Sequence, residues 1–182
     1  LLALLELQFI KLGATRCFAC SKSVKIYVTK LFPHIAKNIT IIPNFILANI
    51  FKNNKKLNTN NLVYFGRIEY RKGVDLLVRA FVKIAGKNKK INLFLIGESI
   101  SDLTSKDHRV TIDQLIENLK ITREITKRII IIPRFDNKGA LIEFLKNLKG
   151  VAILPSRYEP FGFTTIESMA LGYIVIASKK GG

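Results

Sequence analysis

Two carboxylates and two cations carry the chemistry this sequence can offer. Glu159 and Glu167 lie eight positions apart in Leu154-Pro-Ser-Arg-Tyr-Glu-Pro-Phe-Gly-Phe-Thr-Thr-Ile-Glu-Ser-Met-Ala-Leu-Gly172, and Arg67 and Lys72 stand in Gly66-Arg-Ile-Glu-Tyr-Arg-Lys-Gly73. A carboxylate accepts hydrogen bonds from sugar hydroxyls, whereas a guanidinium or ammonium takes phosphate oxygens. A ligand with hydroxyls at one end and phosphate at the other would use both. The same residues also fit structural roles. Thr164-Thr-Ile-Glu167 has capping-box spacing, in which Glu167 would bond the backbone N–H at the cap. Glu159 before Pro160 fits a solvated loop acid, and Gly-Arg and Lys-Gly fit an exposed turn.

Both groups need elements to hold them. The apolar run 151–154 ends at Pro155, and a helical pattern starts near Phe163 and stops at Gly172. Likewise the run 62–65 leads into Gly66, and after Gly73 comes a stripe at helical spacing: Val74, Leu77, Val78, Phe81, Val82 and Ala85. Each stretch is therefore a strand, a loop and a helix. The loops lie at the carboxyl edge of a sheet, where unpaired helix N–H groups and the helix dipole favour anions. Gly66 lets the chain turn, and Gly73 has no Cβ to stand between a ligand and the backbone. Further apolar runs cover 91–96, 129–132 and 173–177, with an amphipathic helix at 112–121 and a second stripe at Leu141, Ile142, Leu145 and Leu148. Runs without polar alternation indicate strands covered on both faces. The expected fold is thus α/β, a Rossmann-like parallel sheet with helices on both sides.

The stretch around Glu159 and Glu167 resembles the signature of retaining GT-B glycosyltransferases of family 4. The likeness includes Pro155-Ser156 before the acids, Phe161-Gly162 between them and Met169-Ala170-x-Gly172 after them. Gly-Arg-x4-Lys-Gly, upstream at the same sheet edge, is similar to that family's diphosphate motif. The resemblance implies a GT-B fold and transfer of a sugar from a nucleoside-diphosphate-sugar to a glycan or lipid-linked acceptor, with retention of configuration. It implies no metal and no further cofactor, since Arg67 and Lys72 would stabilise the developing charge on the β-phosphate. Glu159 and the N–H groups of Phe161, Gly162 and Phe163 would hold sugar hydroxyls, and Glu167 would accept from the ribose; Gly66 and Gly73 complete the donor-binding set. The resemblance runs from about Arg16 to the end. Residues 1–43 are expected to be the end of an acceptor domain with the crossing into the next, and residues 44–182 a nucleotide-sugar-binding domain cut short at its C-terminus. Three positions depart from the pattern. Phe45 replaces the Gly of Pro-Asn-Gly, Gly97-Glu98-Ser99 stands for Gly-Asp-Gly, and Pro133-Arg-Phe-Asp stands in a base-pocket loop where Gly is common.

At 182 residues and 48% apolar content the chain can fill a substantial core. It lacks an initial Met and ends on Gly181-Gly182 straight after a strand-like run, the expected look of a fragment. The net charge of +17 favours polyanions: phosphorylated ligands, an anionic membrane surface or nucleic acid. The lysines are dispersed, with short clusters at Lys52-Asn-Asn-Lys-Lys56 and Lys87-Asn-Lys-Lys90. A basic nucleic-acid-binding module is the alternative from another class, and a GT-B epimerase or phosphorylase a second enzyme reading. The charge comes without clustered aromatics or a base-reading motif, so no nucleic-acid partner is expected. Cys17 and Cys20 form a lone Cys-x-x-Cys; without two more ligands for zinc they are expected to be small buried hydrophobes. Without a disulfide framework the expected compartment is reducing. Leu-Leu-Ala-Leu-Leu at the start of a helical 1–12 stretch is interrupted by Glu6 and too short to span a bilayer. The expected location is cytoplasmic, with peripheral contact to anionic membrane.

Overall fold

The computed structural model describes residues 15–47, 49, 56–98 and 111–180. They fall into two compact units. One holds the described residues up to Phe45 together with Glu159–Gly162, and the other holds Ile46–Tyr158 and Phe163–Lys180. The helix expected at 1–12, residues 99–110 and Lys52 to Lys55 of the first lysine cluster lie outside the described residues.

The first unit is small. Strand β1 (Cys17–Ala19) leads through helix α1 (Lys22–Leu31) and a 3-10 turn (Pro33–Asn38) to β2 (Ile39–Ile41), which pairs parallel with β1. Ser21 caps α1 by accepting from the Val24 N–H, and Phe32-Pro33 ends it. Ala19, Ile35 and Ile39 form its core. The cysteines differ from expectation in burial: both are only half-buried. Cys17 opens a three-residue strand of a two-stranded sheet and Cys20 follows it, so both thiols stay partly open, and Cys20 Sγ lies 3.8 Å from the Pro160 carbonyl.

The second unit is built on a five-stranded parallel sheet. Its strands are β3 (Asn61–Phe65), β4 (Asn92–Ile96), β5 (Ile129–Ile132), β6 (Val151–Leu154) and β7 (Ile174–Ala177), in the order β5-β4-β3-β6-β7. Every residue of the central strand β3 is buried. Leu62 and Tyr64 join one hydrophobic cluster and Val63 and Phe65 the other, which is why the run shows no polar alternation. Helix α2 (Val74–Ala85) and helix α3 (Ile112–Asn118) cover the first face, with Leu77, Val78, Phe81 and Leu115 buried. Phe81 has no exposed surface, and truncating it to Ala would cost about 3–5 kcal/mol. Arg128 satisfies the end of α2, donating to the carbonyls of Ala85 at 2.8 Å and Asn88 at 2.9 Å. Helix α3 stops at Asn118, short of the expected residue 121. Lys120 turns left-handed there, and Thr122 starts the one-turn helix α4 (Arg123–Thr126), too short for periodicity to reveal. Helix α5 (Lys138–Leu148) covers the second face with Ile142 and Leu145, beside Leu171 and Tyr173. Helix α6 (Phe163–Ala170) precedes β7.

The strand order places the site. From β3 the chain adds β4 and β5 on one side, then crosses back to add β6 and β7 on the other. The order reverses between β3 and β6, and in open α/β sheets ligands bind in the crevice outside the carboxyl ends of the strands at that point.

Tyr173, just before β7, is nearly buried and donates its hydroxyl to the Leu145 carbonyl at 2.7 Å. Burial pushes its phenol above the ordinary value of about 10. The folded state therefore resists ionisation, and stability held below about pH 10 is lost as pH rises further. Nearby Lys149, also buried, donates to Leu171 O at 2.6 Å, and burial pushes its ammonium down. Tyr173→Phe is expected to cost about 1 kcal/mol in urea unfolding at pH 8. That deficit should shrink by up to about 1.4 kcal/mol per pH unit above 10, because Lys149 is common to both proteins. A deficit that stays constant to pH 11 would contradict the assignment.

Candidate functional site

The carboxyl ends of β3 and β4 meet at two glycines. Gly66 has φ 138° and Gly97 φ 146°, and a Cβ on Gly97 would lie 2.0 Å from the Gly66 carbonyl oxygen. Only glycine permits so close an approach in that conformation. The Tyr64 hydroxyl donates to the Arg67 carbonyl at 2.5 Å and fixes the turn. Arg67 itself is exposed, its guanidinium 3.7 Å from Glu69, and it lines a cavity of about 330 Å³ with Gly66, Gly97, Glu98, Arg134 and Lys138. Arg134 pairs with Glu98 at 3.3 Å. Three cations and the turn glycines thus face one cleft, an arrangement that suits an anion.

Lys72 closes a 3-10 turn, Tyr70–Lys72, that runs into Gly73 at φ 71°. A Cβ on Gly73 would lie 2.1 Å from the Pro155 carbonyl oxygen at the end of β6. The space that glycine leaves is filled by protein backbone; the expectation that it admits a ligand's close approach has this second, structural reason beside it. Arg157 then ties the two loops together. Its guanidinium makes two hydrogen bonds to Asp75, both at 2.7 Å, and donates to the Tyr70 carbonyl at 2.6 Å. It also lies 3.7 Å over the Tyr70 ring, while its backbone N–H donates to Arg71 O at 2.8 Å. The hydrogen bond with Asp75 holds the Arg157 guanidinium above its ordinary pKa, against the opposing effect of burial. Arg71 is a structural tie as well, reaching Glu69 at 2.6 Å and Tyr158 O at 3.1 Å.

Glu167 is not a capping residue. Helix α6 begins at Phe163, so Thr164 is already helical and Glu167 lies beyond the third position of the helix. Its carboxylate instead takes the Lys138 ammonium at 2.6 Å. The second unit therefore brings Arg67, Lys72 and Glu167 to loops and helix starts on one sheet edge, with Phe163 opening α6. Glu159, Phe161 and Gly162 belong to the first unit, where Ser21 Oγ donates to the Pro160 carbonyl at 2.5 Å. Arg134, Lys138 and Arg157 went unrecognised as site residues in the sequence. The available signal was the position of Arg134 and Lys138 directly after strand 129–132, at the same edge as Arg67. Among the described residues no cluster of three or more His, Cys, Asp or Glu could hold a metal.

The model of one protein family, described as glycosyl transferases group 1, matches residues 46–182. The chain belongs to that family. Among its relatives is a glycogen synthase of Mycobacterium tuberculosis, 29% identical over 166 residues, which are 90% of this chain and 37% of that protein. Another is a lipopolysaccharide 1,2-N-acetylglucosaminetransferase of Salmonella typhimurium, 28% identical over 89% of this chain and 43% of its own length. The fold is that of GT-B glycosyltransferases: Anabaena HepE, solved with UDP and glucose, superposes with a TM-score of 0.69 at 18% identity, over 93% of this chain and 45% of its own. This group 1 chain spans less than half the length of each of these three.

The tie between the loops makes a stability prediction. Gly73→Ala forces both a left-handed side chain and a backbone clash, and is expected to cost at least 1–3 kcal/mol in urea unfolding. Asp75→Asn leaves Arg157 with a neutral partner and should cost about 1.5–3 kcal/mol. Arg79→Ala, on the exposed side of the same helix, should stay within about 0.5 kcal/mol. Equal effects of the three would contradict the tie.

Proposed function

We propose that this chain is the donor-binding part of a retaining family 4 glycosyltransferase, residues 44–182 holding a nucleoside-diphosphate-sugar and residues 1–43 ending the acceptor half. The observation that carries the reading is the exposed Arg67 at the switch between β3 and β6, lining a cavity with Arg134 and Lys138. Arg67 and Lys72 take the diphosphate, and Glu167 accepts from the ribose. Glu159, with the backbone N–H groups of Phe161, Gly162 and Phe163, holds the sugar hydroxyls. The bond between the anomeric carbon and the β-phosphate oxygen breaks, and its electron pair stays on that oxygen. The two cations stabilise the charge there, which is the role of preorganised electrostatics. No metal or cofactor takes part in this scheme. The acceptor oxygen bonds to the anomeric carbon on the face the leaving group departs from and passes its proton to the departing phosphate, so configuration is retained. The UDP in HepE and the acceptor class of the Salmonella relative support a nucleotide-sugar donor and a glycan or lipid-linked acceptor. Among the described residues no helix is long and apolar enough to cross a membrane. A charge of +17 favours peripheral contact with anionic headgroups from the cytoplasmic side, and co-sedimentation with anionic vesicles should fall steeply above physiological salt. Equal binding to neutral vesicles would contradict the membrane contact.

Calorimetry with nucleoside, nucleoside diphosphate and nucleotide sugar tests the roles. Arg67→Ala should weaken the diphosphate far more than the nucleoside. Glu167→Gln should weaken every ribose-bearing ligand, by about 1.5–3 kcal/mol for a charge-assisted hydrogen bond. Glu159→Gln should spare the diphosphate and impair binding of the complete donor. Uniform losses across all three ligands in Arg67→Ala and Glu159→Gln would mark those variants as fold defects and sink the site.

A further inference from the structure

Lys138 stands where a lysine is locally unfavourable. It opens α5, where a cation opposes the helix dipole, and the first turn of that helix holds no acid to offset it. The offset comes from Glu167 on α6, 29 residues later, whose Oε1 lies 2.6 Å from Lys138 Nζ. The Glu167 side chain is 14% exposed and that of Lys138 60% exposed. Lys138 also lines the cavity that Arg67 lines. A carboxyl group rotates broadly about its last torsion unless something fixes it. The ammonium on Oε1 fixes it here and leaves Oε2 to accept from a second donor.

We propose that Lys138 is a positioning residue: it holds the Glu167 carboxylate turned so that Oε2 accepts from a hydroxyl of a bound ribose. The inference rests on the reading of Glu167 given under Proposed function. Lys138 acts through the carboxylate and contributes to ribose recognition, whereas the diphosphate is held by Arg67 and Lys72. Losing the lysine therefore lowers the preference for ribose-bearing nucleotides over analogues without ribose hydroxyls. A merely structural ion pair between α5 and α6 would change overall stability and leave that preference alone.

The test is calorimetry of the whole chain with UDP and GDP, each against its 2′,3′-dideoxy counterpart, for wild type, Lys138→Met, Lys138→Arg and Glu167→Gln. The wild type should prefer the ribonucleotide by about tenfold or more, the worth of one good hydrogen bond to a charged group. Lys138→Met should cut that preference at least about threefold, Lys138→Arg should keep most of it, and Glu167→Gln should nearly abolish it. If Lys138→Met keeps the wild-type preference while Glu167→Gln loses it, the positioning role is overturned and the reading of Glu167 survives. If Glu167→Gln also keeps it, or no nucleotide binds the wild type, the reading of Glu167 falls and the inference falls with it. Urea unfolding of each variant, run alongside, identifies any loss that comes from an unfolded fraction.

Discussion

The bidentate pair between Arg157 and Asp75 is the interaction on which the arrangement of the site depends. Asp75 stands in the first turn of α2 and Arg157 on the loop after β6, so the pair spans the place where the strand order reverses. Both side chains are largely covered, which makes the geometry strong and the loss of either partner costly. Arg157 also covers the Tyr70 ring and holds the carbonyl of Tyr70 in the turn that carries Lys72. Gly73 lets the backbone of Pro155 approach beneath that turn. Without this tie the turn that carries Lys72 would be an exposed loop free to sample many conformations. With it, the turn is set against the end of β6 before any ligand arrives, so less ordering remains for binding to supply.

A second cross-strand constraint works beside the first. Gly66 and Gly97 bring the ends of β3 and β4 within backbone contact, and the cleft lined by Arg67, Arg134 and Lys138 opens directly above them. Three cations around one cleft would repel one another if none were balanced. Arg134 is balanced by Glu98 and Lys138 by Glu167, while among the described residues Arg67 has a longer contact, to Glu69. The cation least engaged by protein is thus the one assigned to the diphosphate. The family match assigns the chain to the group 1 glycosyl transferases, and the local charge balance of the cleft suits an anionic ligand.

Much of this fold was legible because its signals are local. Residues 62–65 and 151–154 are apolar runs with no polar alternation, and a central parallel strand requires that. The stripe from Val74 to Ala85 points to one face at helical spacing, and Ser21 and Phe32-Pro33 bound α1 where their chemistry says they should. What stayed hidden depends on residues distant in sequence. Asp75 and Arg157 are 82 positions apart, Lys138 and Glu167 are 29 apart, and no periodicity links such partners. Gly73 looked like an opening for a ligand because only the folded chain brings Pro155 against it. The capping-box spacing of Thr164 and Glu167 goes unused for a related reason: the helix starts at Phe163, and a shift of two residues at a helix start changes which side chain can cap it.

A structure of this chain soaked with a nucleoside diphosphate tests the account most directly. The account predicts density for the diphosphate between the Arg67 guanidinium and the turn carrying Lys72, within hydrogen-bond distance of the former, and a ribose hydroxyl on Glu167. A nucleotide bound elsewhere on the chain, or one in the cleft with its phosphates turned away from Arg67, would contradict it.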